Sequence, residues 1–145
     1  MDKALQFSDI PATWAICFEH DCPLAATCLR HHAATLAPAG LKHHECVLPA
    51  ARDIDSCTLY VEDRPARLAY GMKHLLQDVK YEEGIAMRNE LYDIFGSRSQ
   101  YYRYYRGRWP ISPRLQASVA DLFRKYKLGH EPQFDNYSEG YYFKN

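Results

Sequence analysis

The stretch GSRSQYYRYYRG, which runs from Gly96 to Gly107, decides how the C-terminal half of this sequence folds. Its two end glycines enclose a run that contains only serine, glutamine, tyrosine and arginine. Tyr101 and Tyr104 are three positions apart, so they lie on the same face of a helix. The stretch therefore predicts a short helix over Ser97–Arg106, with Ser97 as its N-cap and the two tyrosines in the core.

The segments on either side of this stretch also have helical patterns. Apolar residues recur at helical spacing over Ile85–Phe95, and Gly96 follows them as a natural C-cap. Ser112 and Pro113 are typical of a helix start, with serine as the N-cap and proline in the first turn. A further apolar stripe predicts a helix over Ala66–Val79.

Taken together, these elements resemble the helix-turn-helix of phage-type repressors. The residues that carry the resemblance are Glu90, Leu91, the turn at Gly96 and the run that ends at Gly107, followed by the capped helix at Ser112. The resemblance implies that the helix over 97–106 enters the major groove of DNA. The repressor pattern has one more apolar residue after the turn glycine. A shortening by one residue rotates the second helix by about 100°.

Charge is distributed unevenly along the chain. Residues 97–129 contain 8 Lys/Arg and 1 Asp/Glu, whereas residues 1–63 contain 4 and 9. A local basic block attracts phosphate even when the whole chain is neutral. Arginine binds phosphate and guanine, and glutamine pairs with adenine. We therefore predict a DNA-binding surface formed by Ser97, Arg98, Ser99, Gln100, Tyr102, Arg103, Arg106 and Arg108.

Several functions are compatible with a basic, tyrosine-rich helix. The preferred one is a DNA-binding transcriptional regulator, for which a homodimer is a natural form because such proteins bind paired half-sites. Tyrosine rings also stack on unpaired bases, so RNA is an alternative target. A module that binds another protein through its tyrosines is a further alternative, and a solvated basic face without a ligand is the simplest one.

The five cysteines suggest a second site, in the N-terminal half. Cys17, Cys22 and Cys28 are closely spaced, and Cys57 follows at the start of a predicted strand. Structural zinc takes four thiolate or imidazole ligands, and an iron–sulfur cluster also takes four cysteines. We predict these four as metal ligands, with zinc preferred and Cys46 left over. The alternative without a metal is that the cysteines are small buried apolar residues. Additional imidazole donors are available at His20, His31, His32, His43 and His44.

The sequence predicts a mainly α, α+β fold with three regions. Residues 1–64 form a Cys/His-rich unit that a metal stabilises, with a helix over Pro23–Leu36 that Asp21 caps and a short strand at Cys57–Val61. Residues 65–130 form the helical, helix-turn-helix-like unit. Residues 131–145 form an aromatic tail that packs back on the body through Phe134, Tyr137 and Tyr141.

Other classes of protein lack support in the sequence. It contains no P-loop, dinucleotide-binding fingerprint, zinc-protease motif or nucleophile elbow, so no enzymatic activity is predicted. No apolar run approaches the roughly 20 residues of a membrane span, and the N-terminus has no signal-peptide pattern. Cysteines without an export signal favour a reducing compartment. We therefore expect a cytoplasmic protein with no membrane partner.

The motifs of both halves together resemble a family of unknown function from anaerobic gut bacteria. They are the pattern W-x2-C-x4-C-P-L-A-x2-C-L-R from Trp14 to Arg30, the later Cys57, the stretch that ends at Gly107, and F-D-x-Y from Phe134 to Tyr137. The resemblance spans most of the chain. It implies a common fold but brings no activity with it.

Overall fold

The structure is a computed structural model that describes residues 4–143. The chain forms two compact units. The N-terminal unit comprises residues 4–65 with residue 143, and the C-terminal unit comprises Ala66–Tyr142. The described residues contain four α-helices and one antiparallel sheet of two strands, so the fold is mixed α and β.

The N-terminal unit has little regular structure. Its helix α1 spans Leu29–Thr35, and short 3₁₀ turns lie at Phe7–Asp9, Ala25–Thr27 and Pro49–Ala51. The helix predicted over Pro23–Leu36 is therefore too long, and Asp21 does not cap it. Cys28 is the N-cap, because its backbone is extended and the next N–H, of Leu29, donates to a carbonyl outside the helix.

The strand predicted at Cys57–Val61 is wrong. The N–H of Tyr60 donates to the carbonyl of Cys57 at 3.2 Å, which closes a turn within the predicted strand. On either side of this turn the chain pairs through isolated bridges, of Cys57 with Arg52 and of Glu62 with Cys28. The apolar and β-branched composition of this segment favours extension, but the turn leaves no run of backbone groups for a ladder. Within residues 4–143, both strands belong to the C-terminal unit.

The C-terminal unit begins with strand β1, Ala66–Tyr70, which pairs in antiparallel register with β2, Asn136–Gly140. The helix predicted over Ala66–Val79 is therefore wrong. Gly71 ends the strand with a positive φ of 83°, and turns follow. Four residues of the predicted apolar stripe are still buried, but as part of a strand and a loop: Leu68, Ala69, Met72 and Leu75. The other two, Leu76 and Val79, are half-buried against the core.

The other predicted helices of this unit are present. Helix α2 spans Tyr81–Ile94, α3 spans Arg98–Tyr105 and α4 spans Pro113–Lys125. Helix α2 begins one turn earlier than its apolar pattern indicates, because its first turn is polar and acidic. Acidic residues are favourable at that end of a helix.

Local capping fixes where α3 and α4 begin. The Ser97 hydroxyl accepts a hydrogen bond from the N–H of Gln100 at 3.1 Å, and the Ser112 hydroxyl accepts one from Leu115 at 3.3 Å. Both predicted N-caps are confirmed. Gly96 makes the turn between α2 and α3 with a φ of 102°, a backbone angle that residues other than glycine rarely adopt.

The C-terminal unit has a continuous hydrophobic core, and the predicted burial of Tyr101 and Tyr104 is confirmed at 2% exposure each. The other buried members of this core are Ala69, Met72, Leu75, Met87, Leu91, Phe95, Ile111, Val119, Leu122, Phe123 and Phe134. Phe134 comes from the predicted aromatic tail, whose residues 136–140 form β2. None of the helices within residues 4–143 has both the length and the apolar character that crossing a bilayer requires.

Candidate nucleic-acid interface and cysteine cavity

One side of helix α3 faces the core, and the other side faces solvent. Arg98, Arg103 and Arg106 are exposed; Arg103 and Arg106 lie on the side away from the buried Tyr101 and Tyr104, and Arg98 lies at the edge of that side. This division follows from the helical repeat of about 3.6 residues, which separates the two sets around the axis. Of the other residues predicted to contact DNA, Ser97, Ser99 and Arg108 are exposed, and Gln100 and Tyr102 are half-buried.

Aromatic rings hold the arginines of α3. The guanidinium carbon of Arg98 lies 6.0 Å from the centre of the Tyr102 ring, and that of Arg106 lies 5.7 Å from the same ring. The guanidinium of Arg103 lies closer to its ring, 4.7 Å from the centre of Trp109. Cation–π contacts restrain a guanidinium group but leave its charge and its N–H donors available.

The arginines of α3 are not neutralised by carboxylates. In the described part of the chain, no ion pair involves Arg98, Arg103, Arg106 or Arg108. The two basic residues at the end of α4 differ, since Arg124 pairs with Asp121 and Glu131 and Lys125 pairs with Glu90. In the described part of the chain, the basic residues of this block without an ion pair are therefore the arginines of α3 and the loop after it, together with Arg114 and Lys127.

Arg88 of α2 adds to this surface, although it lies outside the basic stretch that the sequence predicts to bind DNA. A hydrogen bond with Tyr92 lowers the pKa of Tyr102, and the nearby charges of Arg88 and Arg98 lower it further against the opposing effect of burial. Arg88 is exposed. Because its charge and that of Arg98 both act on Tyr102, we place the two arginines in one surface at the edge of α3. We use the name basic surface for Arg88, Arg98, Arg103, Arg106 and Arg108. The signal that could have found Arg88 is its position on α2, one turn before Tyr92.

Tyrosine contacts connect the basic surface to the core. The ring of Tyr101 lies 5.1 Å from that of Tyr92 and 5.1 Å from that of Tyr102, both edge to face. Burial raises the pKa of Tyr101 to about 12. Tyr101 is therefore a neutral core residue, and its ring contacts anchor α3 to the core.

A separate feature lies in the N-terminal unit, where four cysteines line one cavity. They are Cys17, Cys22, Cys28 and Cys57, the set predicted as metal ligands, and the cavity has a volume of about 20 Å³. Cys46 is exposed and does not line it. As they stand, no three or more His, Cys, Asp or Glu side chains among residues 4–143 are gathered so as to hold a metal ion.

Backbone contacts bring these cysteines together from distant parts of the unit. The N–H of Cys17 donates to the carbonyl of Arg30, in the first turn of α1, at 3.0 Å. Cys22 and Cys28 lie on either side of the 3₁₀ turn Ala25–Thr27. Cys57 forms an isolated bridge with Arg52.

Arg30 lies beside the cavity and is buried, at 3% exposure. Its guanidinium group donates to the carbonyls of Ala15 at 2.7 Å and Leu59 at 2.6 Å, and it stacks on Trp14 at 4.3 Å from the ring centre. Burial lowers the pKa of Arg30, and the nearby thiols of three of the cavity cysteines oppose this lowering. Arg30 is not among the predicted site residues, although it follows Cys28 in the cysteine motif.

Of the histidines considered as donors, His31 lines the cavity. Its Nδ1 lies 3.1 Å from the carbonyl oxygen of Cys17, and its ring meets His20 edge to face at 5.2 Å. His32 instead pairs with Asp63 at 2.9 Å. His43 and His44 are not among the residues that line the cavity.

These features define a small mixed α/β protein with a basic helical surface in one unit and a cysteine-lined cavity in the other. The chain belongs to the family of unknown function DUF6078, whose model matches residues 1–143. The resemblance to a family of unknown function is thus confirmed. No curated protein and no solved structure matches the chain.

Proposed function

We propose that the protein is a transcriptional regulator that binds DNA through the exposed side of α3. The observation that carries this proposal is that the α3 arginines are held by aromatic rings and have no carboxylate partner within residues 4–143. A surface of positive charge without counter-charges attracts the phosphates of a duplex at long range.

The arrangement of α2, α3 and α4 supports a duplex as the target. A short helix that follows a tight turn fits the major groove, which is about 12 Å wide. The cap at Ser97 and the buried Tyr101 and Tyr104 hold α3 in one orientation. A rigid helix loses little conformational entropy when it binds.

The exposed residues of α3 have different roles in this proposal. Arg103 and Arg106 lie on the outward side and contact base edges or phosphates in the groove. Arg98, at the start of α3, and Arg88, on α2, contact the phosphate backbone. Gln100 folds its carboxamide back over Gly96 and must turn outward to reach a base.

Fluorescence anisotropy with a labelled 20-base-pair duplex over a series of salt concentrations tests the proposal. If each of the five arginines of the basic surface contacts one phosphate, the slope of log K against log salt reaches about −4.5, which is its upper limit in this proposal. Replacement of Arg98, Arg103 and Arg106 by alanine removes three of these contacts and reduces the slope by about 3.

A charge-matched control separates a local site from general attraction. The triple variant Lys42→Ala, Arg64→Ala, Lys73→Ala also removes three positive charges from exposed residues. We expect it to bind like the unmodified protein. Equal weakening by both triple variants, or no binding at low salt, would contradict the proposal. Tighter binding to the single strand than to the duplex would favour stacking on the tyrosines instead.

A further inference from the structure

We propose that Cys17, Cys22, Cys28 and Cys57 bind one zinc ion as a tetrathiolate site, and that the buried Arg30 balances the negative charge of that site. This proposal goes beyond DNA binding and does not depend on it. The first argument is convergence, because four cysteines from separate segments line one cavity while Cys46 does not.

The size of the cavity favours a single ion. Its volume of about 20 Å³ is slightly above the roughly 10–15 Å³ that one water molecule requires. A cluster of four irons and four sulfides is several times larger. Zinc–sulfur bonds are about 2.3 Å long, so four thiolates around one ion need little more space than the cavity already has.

The charges of the site and of Arg30 fit each other. Zinc with four thiolates carries a net charge of about −2. Such a charge is unfavourable in a partly buried position unless a positive group lies near it. Arg30 lines the same cavity as the four cysteines, and hydrogen bonds to the carbonyls of Ala15 and Leu59 fix its guanidinium group there.

The low content of regular secondary structure in the N-terminal unit is an independent argument that a metal stabilises it. Its described part has one α-helix, of 7 residues. Its buried hydrophobic residues are Leu5, Ile10, Trp14, Ile16, Leu29, Ala33 and Ala34. Units of this size with a small core are commonly stabilised by a structural metal or by disulfides, and these cysteines are free. Zinc would tie together four segments that the core alone holds weakly.

Metal binding requires the thiols to move. They are not yet arranged around one point, so each must rotate about its Cα–Cβ bond towards the cavity. All four are half-buried, and a cysteine side chain moves its sulfur between staggered positions by rotation about this one bond. The site is therefore completed by the ion itself, as in other structural zinc sites.

Metal analysis of the full chain, purified under reducing conditions, tests the proposal together with a cobalt titration. We expect one zinc per chain. Cobalt, added to the metal-free protein, should give the thiolate charge-transfer and d–d absorption bands of a tetrahedral site, saturating at one equivalent and displaced by zinc. Serine in place of any of the four cysteines should weaken cobalt binding or remove it, whereas Cys46→Ser should leave it unchanged.

A second pair of variants tests the role of Arg30. Removal of the charge in Arg30→Gln should weaken zinc binding about tenfold or more, as for other residues that support metal ligands. Arg30→Lys keeps the charge and should restore part of the affinity. Absence of metal, an iron–sulfur spectrum, or equal cobalt binding by Cys46→Ser and the other serine variants would overturn the site. Equal zinc affinity of Arg30→Gln and Arg30→Lys would overturn the proposal that the charge of Arg30 stabilises the site. The cobalt stoichiometry of the unmodified protein remains decisive if a variant fails to fold.

Discussion

Arg103 and Trp109 form the closest cation–π contact of α3, with the guanidinium carbon 4.7 Å from the ring centre. On its other side Trp109 meets the buried Tyr104 edge to face, with ring centres 5.4 Å apart. An exposed arginine is thus linked to the core through one indole. The chain has two tryptophans, and the other, Trp14, lies in the N-terminal unit.

Trp109 should therefore report on ligand binding. In a Trp14→Phe background, we expect duplex DNA to change the emission of Trp109, because a phosphate or base that engages Arg103 alters the cation–π contact. A fluorescence titration at low salt measures this. In the same background, Arg103→Ala should reduce the change while the remaining arginines still bind. An unchanged emission at saturating duplex would contradict the placement of Arg103 at the interface.

The cap at Ser97 is expected to contribute measurably to stability. Ser97→Ala removes the acceptor for the Gln100 N–H and should lower the free energy of unfolding by about 1 kcal/mol. Urea denaturation followed by circular dichroism measures the change. Ser99→Ala, an exposed substitution two residues further on, is the control and should stay within about 0.5 kcal/mol. Equal effects of the two variants would argue against the cap.

The protonation of Asp135 is expected to make the stability of the C-terminal unit depend on pH. Its carboxylate accepts hydrogen bonds from the Lys73 N–H at 3.0 Å and from His74 Nδ1 at 3.1 Å. Burial raises the pKa of Asp135, but these hydrogen bonds together outweigh it, and the pKa is lowered. A lowered pKa stabilises the fold above the unfolded value of about 4. This stabilisation is lost as the pH falls through the folded value.

Asp135→Asn should therefore destabilise the protein at pH 7 and not at low pH. At neutral pH we expect a loss of about 1–2 kcal/mol, since hydrogen bonds to a charged group are lost. As the pH falls through the lowered pKa of the folded state, the carboxyl of the unmodified protein becomes protonated in both states, and the difference should shrink. Urea denaturation at several pH values measures it. Asp78→Asn, at an exposed residue, is the control, and a difference that does not depend on pH would contradict the interpretation.

The parts of the fold that local sequence determines were predictable. Serine caps, the proline after Ser112 and the turn glycine Gly96 each act within one helical turn, so the positions of α3 and α4 followed from them. The spacing of Tyr101 and Tyr104 gave the buried side of α3 in the same way. The exposure of Arg103 and Arg106 then followed.

The parts that depend on distant partners were not predictable. Strand β1 forms because its backbone pairs with β2, about half the chain away, and its apolar spacing alone favours a helix. The contribution of Arg88 depends on how α2 packs against α3. Likewise, the burial of Arg30 depends on carbonyls at Ala15 and Leu59 that no short motif reveals.

Removal of zinc should affect the two units differently, if the zinc proposal holds. A chelator should increase amide hydrogen exchange at Leu29–Thr35, because α1 follows directly after a ligand, Cys28. Exchange in α4, which has its own core, should change little. Hydrogen–deuterium exchange with mass spectrometry, with and without the chelator, makes the comparison. The Cys22→Ser variant should already exchange like the chelated protein. Uniform protection in both states would contradict a structural metal.

The most direct test of the central claim observes the arginine side chains themselves. In NMR spectra of the ¹⁵N-labelled protein, the Nε–Hε signals of Arg98, Arg103 and Arg106 should shift on addition of a short duplex, and those of Arg52 and Arg64 should not. Duplex-induced shifts confined to the last two, or no shift of any arginine signal at low salt, would contradict DNA binding by α3.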